Sequence, residues 1–220
     1  MSHIHIPDGV VQDVWWILVI GYIITFLLLF YILKRLDREE IGRQIPLVGI
    51  MSALMLITMS VPLGFIPFHI NLASLCGIIV GPRLGFVAIF IVNLILAFMG
   101  HGGITVVGLN TLIIGIEVFV GSKLYSIFKK RFKEPLSSAF ATFIALFLST
   151  VITFGIIFLI TGSGDAFIHG HHDGDSIHFW GYSGWIAIFI IMFIGIILES
   201  IVTSLIVSFI SKTKPELIDR

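Results

Sequence analysis

Cysteine is almost missing from this chain. Cys76 stands alone, so no intramolecular disulfide and no CxxC metal motif can exist. Charge is scarce as well: 12% of residues are Asp, Glu, Lys or Arg against 57% hydrophobic, and the mean hydropathy is +1.10, far from an ordinary water-soluble domain. The formal net charge is zero, so no polyanionic partner is implied and nucleic acid is not an expected target. There is no GxxxxGK[ST] loop to cradle a nucleotide, no HExxH, and no paired acid and base carboxylates, so hydrolysis has no visible machinery. The first twelve residues contain no Lys or Arg, and the apolar stretch behind them is longer than a signal-peptide core. That stretch is expected to remain in the protein, with the N-terminus outside. No repeat of solenoid period is present.

What fills the chain is apolar sequence in about seven stretches, roughly 14–33, 44–63, 70–81, 84–100, 104–127, 136–161 and 183–211. A helix needs about 20 apolar residues to cross a bilayer. The expected fold is therefore an all-α integral membrane protein of about seven transmembrane helices, forming a single membrane domain over residues 1–220. Stretch 70–81 is short, nearer a tilted or re-entrant helix than a full crossing. Charge decides how to count it. With an odd number of crossings, all thirteen Lys and Arg fall on one side and all eight His on the other. If 70–81 did not cross, Lys129–Lys133, Lys212 and Lys214 would lie outside and His101 inside, against the positive-inside rule. The reading is N-terminus outside, C-terminus cytoplasmic, in a multi-pass protein of the cell membrane. The clusters Lys34, Arg35, Arg38, Arg43 and Lys129, Lys130, Arg131, Lys133 act as topology anchors.

The His-bearing face has three parts: the extracellular segment 1–12 with His3 and His5, two short mouths with His69 and His101, and the extracellular loop 162–181. That loop carries His169, His171, His172 and His178 beside Asp165, Asp173 and Asp175. A neutral face rich in imidazole suits capture of a transition metal. His3 is notable because the main chain beside a free terminus is itself a chelate. If Met1 is trimmed, the Ser2 amine, the His3 backbone nitrogen and the His3 imidazole share a plane and leave one corner for an outside nitrogen. Such a square suits Ni(II) or Cu(II), or low-spin Co(II). If Met1 is kept, the amine, two amide nitrogens and the His3 imidazole fill all four corners. The bland alternative is a frayed, solvated end.

His5-Ile6-Pro7-Asp8-Gly9 resembles the N-terminal signature of the CbiM/NikM family, the substrate-binding membrane subunits of energy-coupling-factor (ECF) transporters for cobalt and nickel. The likeness continues through Phe68-His69-Ile70-Asn71-Leu72, Gly81-Pro82, Gly102-Gly103-Ile104 and Gly108-Leu109-Asn110. It covers roughly residues 1–128, with the C-terminal third alike only in hydropathy. The resemblance implies a site made from the terminal amine, the backbone and side chain of the following His, and a mid-chain His. By motif the imidazoles are those of His5 and His69; by distance from the terminus the first is that of His3. The favoured set is Ser2, His3 and His69, with His5 as a supporting donor. The resemblance also implies a transport subunit and not an enzyme, no tightly bound cofactor, and Co2+ or Ni2+ as cargo, leaning to cobalt. Its expected partners are an ECF transmembrane coupling subunit, two cytoplasmic ATPase subunits that hydrolyse ATP, and a small accessory membrane subunit.

Polar groups inside apolar stretches are costly unless paired. Asn71, Asn110 and His101 are candidates for outer donors that hold ligands or loop backbone in place, and Asn93 reads as glue between helices. Both Glu117 and Glu199 are read first as structural; Glu117 could pair with an inner amide or stay protonated, and Glu199, read as nearer the cytoplasm, is the alternative contact for a partner subunit. The loop histidines read as a low-affinity funnel or a plain hydrophilic linker. Gly49, Ser52 and Ala53 are the candidate coupling surface, because small residues let helices approach closely. A nickel-specific subunit of the same class is the nearest alternative. A metal sensor or storage protein would ordinarily bring a cytoplasmic signalling segment, and a self-sufficient channel needs a continuous polar path where only scattered Asn and Glu stand.

Overall fold

The computed structural model of the chain describes residues 15–36, 38–60, 69–161 and 181–218. Among these, every long element is a helix: α1 (Trp15–Arg35), α2 (Arg38–Ser60), α3 (Ala73–Val80), α4 (Pro82–Phe98), α5 (Val107–Phe128), α6 (Glu134–Thr161) and α7 (Gly181–Thr213). Four of them contain stretches long and apolar enough to cross a membrane, Trp15–Arg35, Ile104–Phe128, Glu134–Ile156 and Phe189–Thr213, with shorter apolar helices at Gln44–Ser60 and Pro82–Phe98. α5 is the centre of the bundle. It is 67% buried over its most apolar stretch, whereas α1 is 22% buried and shows Trp15, Phe26, Leu27 and Phe30 on its outer surface. An apolar exterior of that kind is matched to lipid.

The short third stretch is shorter still in the structure. α3 has eight residues, all buried, and rises only about 12 Å. Residues 70–72, expected at its start, are not helical, because Leu72 adopts φ 57° and is the sole non-glycine residue with positive φ among the described residues. At its other end α3 meets α4 through the single residue Gly81, at φ 90°. That conformation is open to glycine and costly for other residues. Pro82 then occupies the first turn of α4, where its missing N–H costs nothing.

α4 ends in a Schellman motif. Gly100 has φ 83°, its N–H donates to the Ala97 carbonyl at 3.1 Å, and the His101 N–H donates to the Leu96 carbonyl at 2.9 Å, the paired bonds that close a helix at a left-handed glycine. His101 is thus fixed at the backbone even though its side chain is exposed. Gly102 and Gly103 also have positive φ and turn the chain into a short 3-10 turn, Ile104–Val106, that leads into α5.

Glycine also sets the spacing between helices. A Cβ on Gly108 would lie 2.7 Å from the Tyr22 backbone nitrogen, so α1 and α5 cross closely, and Thr25 there donates to the Gly108 carbonyl at 2.9 Å. A Cβ on Gly77 would stand 2.5 Å from the Val118 carbonyl oxygen and 3.1 Å from two further backbone atoms of Val118. Backbone of a central helix cannot give way as a side-chain tip can. Gly77→Ala is therefore expected to destabilise the subunit by about 1–3 kcal/mol, read as a lower melting temperature in detergent. An unchanged melt would contradict this α3–α5 contact.

Candidate functional site

His69 precedes α3 and His101 follows α4, and the hairpin through Gly81 returns the two to the same end of the bundle. Their ring centroids lie 6.3 Å apart with the planes at 80°. His69 is half-buried and His101 exposed, so the pair runs from the surface inward. With metal–nitrogen bonds of about 2.0–2.1 Å, two imidazoles on one ion place their ring centres roughly 6.4 Å apart when they stand on opposite sides of it and about 5 Å or less at tetrahedral or right angles. The observed 6.3 Å is close to that upper limit. Among the described residues, no group of three or more His, Cys, Asp or Glu forms a metal cage, so two imidazoles are what this region supplies. Ser2, His3, His5, His169, His171, His172 and His178 lie outside the described residues.

Below His69 the chain is held by buried polar groups. Glu199 of α7 accepts from two consecutive backbone amides, the Asn71 N–H at 3.1 Å and the Leu72 N–H at 2.9 Å. Asn71 uses both ends of its side chain. Its Oδ1 accepts from the Ala73 N–H at 2.8 Å, satisfying one of the otherwise unpaired amides at the start of α3, and its Nδ2 donates to Glu117 Oε2 of α5 at 2.5 Å. The other Glu117 oxygen accepts from the Ser149 hydroxyl of α6. Asn71 is 1% exposed and both glutamates are fully buried. In so apolar a setting each bond replaces water that the groups have given up.

Two expectations about these glutamates part here. Glu117 pairs with an inner amide, that of Asn71, as its position in an apolar stretch suggested. Glu199 is not a partner contact: it is fully buried and bonded within three residues of His69. Its helical position alone carried no sign of this, because its donors are main-chain groups 127 and 128 residues away. The available signal was weaker, namely that a carboxylate in the middle of an apolar span must find donors.

Asn93 donates to Thr111 Oγ1 at 3.2 Å and ties α4 to α5, the helix-glue role expected of it. Asn110 is buried in the first turn of α5. On α2, Gly49 and Ala53 are exposed, whereas Ser52 is half-buried with its hydroxyl oxygen inside the protein.

A family model described as CbiM, cobalt uptake substrate-specific transmembrane region, matches residues 5–217. The match extends through the C-terminal third, where the sequence had offered only hydropathy. A protein named for metal transport from Methanocaldococcus jannaschii is 26% identical over 67% of this chain and 68% of its own length. The fused nickel transport protein NikMN of Rhodobacter capsulatus is 32% identical over 49% of this chain, which spans 32% of that fused protein. A protein named for cobalt transport, CbiM 2, from Methanosphaerula palustris is 23% identical over 97% of this chain and 90% of its own. The fold is shared with a crystal structure of a transition metal transporter, with a TM-score of 0.72 and 22% identity over 96% of this chain and 93% of the other.

Proposed function

The chain belongs to the CbiM family of cobalt uptake membrane proteins, and from that premise we propose that it captures Co2+ or Ni2+ at the outer face of the membrane for ATP-driven import. It is a multi-pass membrane component of transition-metal transport. The observation that carries the capture site is the meeting of the His69 and His101 rings at 6.3 Å, two imidazoles at one end of the bundle.

In this reading the N-terminus and the His-bearing mouths face outward and the basic loops face the cytoplasm. The Ser2 amine, the His3 backbone nitrogen and the His3 imidazole form three corners of a square, and His69 supplies the fourth. His5 supports the terminal segment, while His101 is the exposed imidazole that an arriving ion meets. Nitrogen donors in a plane select against hard cations such as Mg2+ and Ca2+ and accept both Ni(II) and low-spin Co(II). Cobalt is favoured on the family description. The loop histidines His169, His171, His172 and His178 raise the local ion concentration through weak, exchanging contacts.

The chain has no nucleotide cradle, so the energy comes from outside it. We assign that task to an ECF coupling subunit, docked on the small-residue surface of α2, with two cytoplasmic ATPase subunits and a small accessory membrane subunit. Radioactive Co2+ should enter cells that express the chain with the coupling and ATPase subunits. Uptake by the chain alone would identify a channel and overturn the reading. Docking is tested by Gly49→Leu. A Cβ there meets nothing within 4 Å, so the subunit should fold and bind metal as before while its copurification with the coupling subunit falls. Unimpaired assembly would place the docking surface elsewhere.

A further inference from the structure

Glu199 and Glu117 are fully buried acidic side chains to which metal capture assigns no task. Burying a carboxylate costs several kcal/mol, so what each does with its oxygens matters. Glu199 places one oxygen on the Asn71 N–H and the other on the Leu72 N–H. These amides belong to the turn in which Leu72 holds φ 57° and ψ 20°, a left-handed conformation that is unfavourable for a residue with a Cβ. Successive N–H groups brought together by such a turn form a nest for an anion. The carboxylate fills that nest, and the turn directs the chain from α3 toward His69. Asn71 completes the arrangement through the Ala73 N–H and Glu117.

We propose that Glu199 is a positioning residue for the metal-binding imidazole of His69, holding the turn at Leu72 so that the His69 ring faces His101. Glu117 steadies the same turn through Asn71. The inference rests on the capture reading and deepens it: α5, α6 and α7 all grip one turn two residues from a metal ligand, so a shift of α7 relative to α3 moves that ligand.

The two glutamates differ in a way that separates geometry from charge. Both oxygens of Glu199 accept from N–H groups, and a glutamine has one carbonyl oxygen and two N–H donors. Glu199→Gln therefore sets an NH2 against a backbone N–H and breaks the nest. Glu117 accepts from the Asn71 amide and the Ser149 hydroxyl. A glutamine there keeps an acceptor for Asn71 and donates to Ser149 Oγ, whose own proton goes to the Leu146 carbonyl, already 3.2 Å away. Both variants replace a buried carboxyl group with an amide, but only the first removes the geometry.

The test uses the full, untagged protein in detergent. Co2+ titration is followed by calorimetry and by visible absorption, which reports ligand geometry. In the metal-free protein, cross-peaks between the His69 and His101 ring protons report their contact. Glu199→Gln should weaken Co2+ binding 10- to 100-fold, the range for loss of a group that orients a ligand, alter the spectrum and lose the ring cross-peaks. Glu117→Gln should stay within about threefold with an unchanged spectrum. Equal losses in both variants would show that the effect does not come from the Glu199 geometry, and unchanged affinity, spectrum and cross-peaks in a folded Glu199→Gln would also overturn the proposal. If Glu199→Gln does not fold, Glu199→Asp decides. Aspartate keeps two oxygens but is one methylene too short to reach both the Asn71 and Leu72 amides, so a folded variant with wild-type affinity, spectrum and cross-peaks would refute the positioning role. His69→Ala separates the two levels: undiminished Co2+ binding there removes His69 from the metal site, and the ring cross-peaks in Glu199→Gln then judge the turn alone.

Discussion

His69→Ala, in the protein with Met1 removed, should raise the dissociation constant for Co2+ and Ni2+ by at least about a hundredfold, the upper end of what losing an outer-sphere partner costs, because here a direct donor is removed. In free energy this is about 2.7 kcal/mol. Glu199 holds the backbone amides of Asn71 and Leu72, and Asn71 holds Glu117 and Ala73, and these bonds, which shape the turn, remain when the imidazole is removed. The variant is expected to fold while binding weakly. Calorimetric titration with each metal beside a thermal melt gives both readings in one preparation. Wild-type affinity in a folded variant would remove His69 from the site, and with it the geometric ground for capture at this end of the bundle.

Much of the architecture was legible because it is local. Apolar stretches announce their own lengths, and all seven helices begin and end within about six residues of the stretches read from hydropathy. The start of α3 is instructive. Stretch 70–81 reads as one apolar segment, yet α3 begins only at Ala73, because a carboxylate on α7 captures the amides of residues 71 and 72. No property of Ile70, Asn71 or Leu72 foretells that, since the anion comes from 127 residues away. His69 stood out as a histidine beside an apolar run. His101 was placed among supporting residues, although its ring faces that of His69. The turn that carries it was partly visible: a glycine directly after an apolar helical run is the signature of a Schellman end, and Gly100-His101-Gly102-Gly103 supplies one. What a single sequence does not carry is which two helix ends the bundle brings together. The Gly81-Pro82 pair decides that, by folding α3 back along α4 within one residue.

Blocking the chain's own terminus should have the largest effect of all. In the proposed square, the terminal amine is the anchor that lets the neighbouring amide give up its proton and bind the metal, since an imidazole alone is a single donor. Acetylation takes the lone pair from the amine, the chelate cannot close, and His3 and His69 are left as separate donors to a shared ion. We expect affinity to fall by at least about a thousandfold, on the order of 4 kcal/mol, with the compact absorption band of a planar nitrogen complex lost. Mass spectrometry of the mature terminus makes the outcome diagnostic when it is set beside His69→Ala. If Met1 is removed, both acetylation and His69→Ala should abolish tight binding, because three corners come from the terminus and one from His69. If Met1 is retained, the amine, two amides and the His3 imidazole fill the square alone. Acetylation then destroys binding while His69→Ala leaves it. Tight binding that survives acetylation but not His5→Ala would move the site to the side chains of His5 and His69 and exclude the main-chain chelate altogether.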